Sequence, residues 1–230
     1  RALDIGTGLG EWYADLPCRL PAVDFYGIDI VPVFTRRVPS NVTFEIQDFN
    51  DGLCYRSEYM DLVRAQDISL GVESYPRLVR EAARILKVGG VLSVCEWTRT
   101  IFINRRRDIT RTAPRACLFL MVLADCLYAD CYAGPVVDSL RNAVTQEPRL
   151  SVQHEAYCTI PIGDWPDDIY AKSIGARYRR VLVDFATAMA PFLRRALHAD
   201  DVDDLVDGFV SDLYSVAGLS TTYYSAYVVR

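Results

Sequence analysis

Short apolar runs alternate with turn and helix signals over the first part of the chain, the βαβ pattern of a parallel sheet. Strands are predicted at Ala2 to Ile5, Phe25 to Ile30, Val42 to Ile46, Asp61 to Ala65 and Val91 to Cys95. Between the last two, Glu73 to Lys87 reads as an amphipathic helix. Tyr75, Leu78, Val79, Ala82, Ile85 and Leu86 fall on one face, and Arg77, Arg80, Glu81 and Arg84 on the other. Gly89-Gly90 is expected to end that helix and turn the chain into the next strand.

The second half changes character. Ala113 to Tyr132 reads as a mostly buried helix and Pro135 to Val144 as a shorter one. Leu150 to Ile160 reads as a strand. Ser173 to His198 reads as a helix that Pro191 should kink or split. Asp201 to Val216 is amphipathic, with Val202, Leu205, Val206, Phe209, Val210 and Leu213 in register. The acids Asp200, Asp201, Asp203 and Asp204 stand at its start, where carboxylates favour the helix dipole. Thr221 to Val229 is a β-branched and aromatic closing strand. No repeat or flexible linker divides the chain, so residues 1–230 are read as a single domain.

Composition narrows the function. With 230 residues, 51% hydrophobic and 24% charged, the chain has the balance of a globular domain. A net charge of -5 argues against a nucleic-acid partner, and the run Arg105 to Arg107 reads as a solvated loop. The longest apolar stretch, Ala116 to Ala124, is too short to span a bilayer, so no membrane is expected as a partner. Arg1 is not an initiator methionine and the first strand begins at once, so an N-terminal segment is expected to be missing. Seven cysteines (Cys18, Cys54, Cys95, Cys117, Cys126, Cys131 and Cys158) lie scattered without a C-x-x-C pair. That suits a reduced, intracellular compartment, cytoplasmic or nuclear. His154 and His198 are the only histidines, which excludes a multi-histidine metal centre; no metal is expected.

Candidate chemistry begins at Asp4-Ile5-Gly6-Thr7-Gly8-Leu9-Gly10-Glu11, directly after the first strand. Alternate glycines let the backbone turn sharply and approach a ligand, and the helix expected to follow would offer free N–H groups. The dinucleotide pattern G-x-G-x-x-G would need glycine at Glu11. The spacing found differs in register and adds an acid on the strand; a purely structural strand-to-helix turn is the plain alternative. Asp29, at the end of strand two, stands where a carboxylate can accept hydrogen bonds from both hydroxyls of a ribose; alone, it reads equally well as a turn residue. Past strand three, Asp48 could accept from an adenine amino group, with Phe49 or Ile30 as a flat apolar surface. The plain alternative is a turn aspartate and a core phenylalanine.

These marks, in this order and spacing, resemble class I S-adenosylmethionine-dependent methyltransferases. The chain is more closely similar to fungal methyltransferases related to the nuclear regulator of secondary metabolism that partners velvet proteins. The resemblance is carried by Leu3 to Gly8 with Glu11-Trp12, by Tyr26-Gly27-Ile28-Asp29, by Asn41 to Asp48 and by Arg84 to Leu92 with Glu96. Ile160 to Pro166, with its Gly-Asp-Trp-Pro segment, and Tyr223 to Val229 carry it further. It implies an α/β, Rossmann-like seven-stranded sheet with helices on both faces and its last strand antiparallel. It also implies S-adenosyl-L-methionine as cofactor, with Asp4, Gly6 and Gly8 at the methionine part, Asp29 at the ribose and Asp48 at the adenine. Thr7 and Gly10 complete the loop, and Arg64, Gln66 and Asp67 would border the sulfonium and the acceptor. Val88 stands for the family's usual proline, and Gln66 where the subgroup has arginine. The partners expected are a small-molecule methyl acceptor from secondary metabolism and a protein.

Methyl transfer is an in-line displacement from a sulfonium that needs positioning and dryness more than acid–base help. His154, Asp67 and Glu96 are optional bases, and no catalytic residue is assigned. The helix from Leu118 to Tyr132 could wall an acceptor pocket or simply pack the core. A methyltransferase-like regulatory partner that methylates nothing is the second reading. A nicotinamide dehydrogenase, disfavoured by Glu11 and by the closing antiparallel strand, is the third.

Overall fold

The computed structural model describes residues 1–33, 38–103, 109–130, 132 and 136–230. The run Arg105 to Arg107, Cys131 and Pro135 lie outside them. β1 (Ala2–Ile5) is buried at all four positions, as a strand covered on both faces must be. It lies parallel between β2 (Phe25–Asp29) and β4 (Met60–Gln66). β3 (Val42–Ile46) pairs with β2, and β5 (Leu86–Ile103) with β4, again parallel. With β6 (Ser151–Pro161) and β7 (Leu219–Val229) the sheet has seven strands in the order β3-β2-β1-β4-β5-β7-β6. β7 runs antiparallel to β5: Gly89 N donates to the Arg230 carbonyl at one end, and the Thr221 hydroxyl reaches the Thr100 carbonyl at the other. The expected fold class is the one found.

The strand order reverses between β2 and β4 on either side of β1, so the loops at their carboxyl ends diverge and open a crevice. Two compact units are distinguishable. One comprises Arg1–Glu96, Pro135–Ala156 and Tyr224–Arg230, and the other Trp97–Gly134 and Tyr157–Tyr223. The crevice and its loops belong to the first.

In that unit, α2 (Tyr75–Ile85) is capped by Ser74, whose hydroxyl accepts from Arg77 N. Its buried face is the predicted one, Tyr75, Leu78, Val79, Ala82 and Ile85, with Ala83 added, and α4 (Val136–Gln146), the shorter helix expected from Pro135 to Val144, belongs to the same unit. Arg84, on the polar face, donates to the Leu53 and Tyr55 carbonyls and clamps the preceding loop. The predicted end was two residues too late. Tyr59 N donates to the Ile85 carbonyl and β4 captures Leu86, so the chain is already extended there. The register then jumps from Met60↔Leu86 to Leu62↔Val91, and Lys87 to Gly90 bulge out, with Gly89 at φ 81°. Gly89-Gly90 therefore interrupts a strand instead of ending a helix.

In the second unit, α3 (Pro114–Ala129) packs on α6 (Ala199–Ser215), where Phe119 and Phe209 meet at 4.5 Å. Asp200 and Asp201 sit in the first turn of α6 as expected. α5 (Ile169–Leu193) starts earlier than predicted, because Asp168 caps it by accepting from Ala171 N. Pro191 neither splits it nor is followed by helix to His198. It falls in the last turn, where its missing N–H leaves the Thr187 carbonyl without the usual donor, and the helix runs only two residues further, to Leu193. The Gly-Asp-Trp-Pro segment is a locked turn: Gly163 N donates to the Gly175 carbonyl, Trp165 Nε1 to the Leu219 carbonyl, and Arg179 to Asp164. A Cβ on Gly175 would lie 2.1 Å from the Gly163 oxygen, so only glycine lets α5 approach that closely. No helix among the described residues is long and apolar enough to cross a membrane. Among the described residues, Cys18, Cys54, Cys95, Cys117, Cys126 and Cys158 form no disulfide.

The cap of α3 comes from another helix. The Asp212 carboxylate, 8% exposed on α6, accepts from Arg115 N at 2.8 Å and Ala116 N at 2.9 Å. Asp212→Ala leaves both N–H groups without this acceptor and is expected to cost about 1–3 kcal/mol, with Asp212→Asn intermediate. The check is urea unfolding: the midpoint should fall with the slope unchanged. An unchanged midpoint would contradict this role.

Candidate functional site

The loop leaving β1 is shaped by its neighbour. Gly6 N and Thr7 N both donate to the Ile28 carbonyl of β2, at 2.9 and 3.0 Å. To make that turn Gly6, Gly8 and Gly10 adopt φ of 69°, 55° and 76°, a left-handed region costly for other residues. Two of the three are also hemmed in: a Cβ on Gly6 would sit 2.4 Å from Ile68 Cγ2, and one on Gly10 3.1 Å from Val33 Cγ1. Gly8 faces open space, with nothing within 4 Å of a built Cβ. That open side is where the backbone can be approached.

The helix expected after the loop is much reduced. Gly10 caps a single 3-10 turn, Glu11–Tyr13, followed by the four-residue α1 (Leu16–Arg19). Aromatic packing takes the chain over: Trp12, Tyr13, Phe25 and Phe44 meet edge to face at 5.1–6.0 Å. Tyr13 OH donates to the Tyr26 carbonyl at 2.6 Å. Burial pushes the Tyr13 phenol well above its usual range. So little helix has almost no dipole to offer an anion.

Asp29 ends β2 and turns toward the loop. Its Oδ2 accepts from Gly8 N at 2.8 Å and its Oδ1 from Val31 N at 3.1 Å. Each carboxylate oxygen has a further lone pair for a hydroxyl donor. Past β3, Asp48 is exposed and its Oδ1 accepts from Asn50 N, capping the short turn Phe49–Asp51. Phe49 is buried at 9% exposure, whereas Ile30 is 63% exposed; of the two, Ile30 presents an apolar surface to a ligand.

On the other side of β1, Arg64 of β4 is the register partner of Asp4. Its Nη1 donates to Asp4 Oδ1 at 2.6 Å and its Nη2 to Gln66 Oε1, while its guanidinium carbon lies 5.3 Å from the Trp12 ring centre. The Asp4 side chain is 2% exposed, and burial raises its pKa, with the Arg64 charge and hydrogen bond working in the opposite sense. Gln66 Nε2 lies 3.4 Å from Asp67 Oδ2, and Asp67 sits at φ 53°. Of the optional bases, Glu96 is buried and accepts from Ile68 N. His154 is exposed on β6, stacked on Tyr227.

The structure thus brings Asp4, Gly6, Thr7, Gly8, Asp29 and Arg64 together, with Gly10, Ile30 and Gln66 at the margin. Sequence reasoning missed two supports. Gly27 carried only a resemblance, yet a Cβ there would meet Phe44 at 2.8 Å and the Thr7 hydroxyl at 3.0 Å. Asn50 bridges the Gly71 carbonyl and Glu73 N, a pairing with no local signal.

Residues 3–94 match the family described as methyltransferase domain. Over 109 residues, 46% of this chain and 27% of the relative, the chain is 36% identical to the secondary metabolism regulator laeA of Coprinopsis cinerea. Methyltransferase pytC of Aspergillus terreus is 26% identical over 83% of the chain and 57% of its own length. The secondary metabolism regulator LAE1 of Cochliobolus heterostrophus is 26% identical over 93% and 70%. The match thus spans about a quarter of the first relative and little more than half of the second.

Among solved structures, phosphoethanolamine N-methyltransferase 2 of Haemonchus contortus, in complex with S-adenosylhomocysteine, aligns with a TM-score of 0.59. It is 17% identical, over 100% of this chain and 49% of that one. An S-adenosylmethionine-dependent methyltransferase of Mesorhizobium loti aligns at 0.53, 16% identical, over 100% and 90%. The [4+2]-cyclase SpnF aligns at 0.52, 20% identical, over 100% and 74%, so the fold is not tied to one reaction.

Two substitutions separate the loop's structural glycines from its open one. Gly6→Ala combines a left-handed φ with the Ile68 clash and is expected to cost well over the ~1–2 kcal/mol of the conformation alone. Gly8→Ala should cost no more than that conformational amount and stay folded. Denaturant midpoints check the ranking, and equal losses would refute it.

Proposed function

From a chain with the class I, S-adenosylmethionine-dependent methyltransferase fold as premise, we infer that residues 1–230 act as one domain. That domain moves a methyl group from S-adenosyl-L-methionine to a small organic acceptor of fungal secondary metabolism. The observation that carries this reading is Asp29: a carboxylate at the end of β2, locked onto the Gly8 amide, beside the open side of the loop. A carboxylate so fixed can accept both ribose hydroxyls, and at this switch point a parallel sheet holds its ligand.

When bound, S-adenosylmethionine supplies an electrophilic methyl on a sulfonium, a leaving group that needs no acid. The chain's own residues supply position. Asp29 takes the ribose, Asp48 and Ile30 flank the adenine, the loop amides approach the amino acid, and Arg64 with Gln66 borders the methionine end. Asp67, exposed past β4, is the acid nearest the acceptor side in sequence order. The acceptor is a small molecule by analogy with the named relatives. Nucleic acid is disfavoured by the net charge of -5. An intracellular site, cytoplasmic or nuclear, and a protein partner belong to the same reading, supported by the likeness to secondary metabolism regulators. The same likeness favours a second reading, a regulator that keeps the cofactor site and methylates no metabolite.

Thermal shifts with S-adenosylhomocysteine and NAD test the reading. Ligand at a hundred times its Kd stabilises by about 2.7 kcal/mol, so only S-adenosylhomocysteine should raise the midpoint. Calorimetry should then show Asp29→Ala binding about tenfold or more weakly. Stabilisation by NAD, or full affinity in Asp29→Ala, would overturn the assignment. Cofactor bound without turnover across a metabolite extract would favour the regulator.

A further inference from the structure

In the second unit, α3 and α6 meet along an open cleft of about 830 Å³, large enough for more than a solvent molecule. Its floor is apolar: Leu118 and Val122 come from α3, Leu205 from α6 and Leu197 from just before it. Its rim is acidic. Asp201, Asp204 and Asp207 stand on α6, and among the described residues none of the three forms an ion pair. Arg115 also lines the cleft, its stem flat against Gly208, where a Cβ would meet Arg115 Cδ at 3.0 Å. An apolar trough edged by unpaired carboxylates suits an apolar ridge edged by cations.

The same unit carries such a ridge. Along α5, Tyr170, Ile174 and Val181 fall on one face and are 78%, 53% and 55% exposed. Single exposed apolar residues are ordinary, whereas a stripe of large ones marks an interaction surface. Arg177 lies within the stripe and Lys172 and Arg180 beside it, all exposed. Of the acids nearby, Asp168 is engaged in capping α5, and Asp167 and Asp184 lie beyond the ends of the stripe. The lengths also agree. α3 lines hollows from Leu118 to Ala129 and the ridge runs from Tyr170 to Val181, each about 16 Å of helix.

We propose that the exposed stripe of α5 docks in the α3–α6 cleft of a second copy of this chain. Tyr170, Ile174 and Val181 then bury against the leucines and Val122 of the cleft, and Arg177 and Arg180 meet its unpaired acids. Every copy carries both halves of this contact, and their charges and apolar patterns are complementary. Stripe and cleft are different surfaces, so the contact is heterologous and either closes into a ring or extends with concentration. Apolar burial supplies most of the affinity, and the charges set register and partner choice. No cofactor enters, so self-association is independent of methyl transfer.

Analytical ultracentrifugation of the chain tests it. The average mass should rise above that of a single chain as concentration increases through the micromolar range. Asp204→Lys with Asp207→Lys makes the cleft basic, and Arg177→Glu with Arg180→Glu makes the ridge acidic. Each double variant alone should self-associate at least about tenfold more weakly, because like charges then face each other. Mixed in equal amounts, the two should associate as the parent does, since each offers the charge that the other's surface lacks. Leu118→Asp, at a half-exposed position, should abolish association of the parent. A parent that stays a single chain at every concentration would overturn the proposal, as would reversed variants that associate like the parent or a mixture that does not. If a reversed variant does not fold, the masses of the parent and of Leu118→Asp decide. Should the parent stay single while its cleft takes up a labelled helical peptide of leucine and lysine, and lose it in Asp204→Lys with Asp207→Lys, the cleft serves a different protein and the second copy is wrong.

Discussion

The end of β2 holds the loop of β1 by three hydrogen bonds, and the site depends on that grip. The Ile28 carbonyl takes Gly6 N and Thr7 N, and the Asp29 carboxylate takes Gly8 N. A run with three left-handed residues would sample many courses in isolation; it keeps one only when its surroundings over-determine it. The aromatic floor of Trp12, Tyr13, Phe25 and Phe44 adds the second constraint, with Tyr13 tied to the backbone of β2. Because the same carboxylate fixes Gly8 beside the loop's open side, any ligand it held would be coupled to the loop's shape through one residue.

Ion pairs divide sharply by burial. Asp61 with Lys87, Arg194 with Asp203 and Arg195 with Asp130 are exposed, and pairs of that kind contribute little, less still as salt rises. Asp4 with Arg64 is different. Desolvation is the largest influence on the Asp4 carboxyl and raises its pKa, and Arg64 opposes it without reversing it. Such a pair is a poor source of net stability but costly to break on one side. What it yields is a guanidinium with a defined plane and position beside the loop.

Much of the first half was legible because parallel strands covered on both faces read as continuous apolar runs. β1 to β4 fall within a residue or two of expectation. The apolar face of α2 was likewise visible in its period. Features set by distant partners were not. β5 extends to Ile103 because β7 pairs along it, and nothing in Lys87 to Gly90 announces that the strand has already begun. Phe49 reads in sequence as a ligand wall before a core residue, and burial at 9% exposure makes it core. The Asp4–Arg64 pair joins residues sixty positions apart through the register of two parallel strands, so it has no local signature. The cap that Asp212 places on α3 is of the same kind.

The short turn after the glycine loop bears on which ligand the crevice suits. Pyrophosphate sites rely on a full helix, whose free amides and dipole meet two adjacent negative charges. Here the loop runs into a three-residue turn, and carboxylates stand on both sides, Asp4 from β1 and Asp29 from β2. Two phosphates would meet the loop amides with little helix dipole behind them. A ligand whose hydroxyls meet Asp29 would set neutral donors, not negative charge, against that carboxylate. The short turn, and not the acid that ends β2, is therefore what sets this crevice apart from a dinucleotide site, because a carboxylate at that position serves a ribose in both.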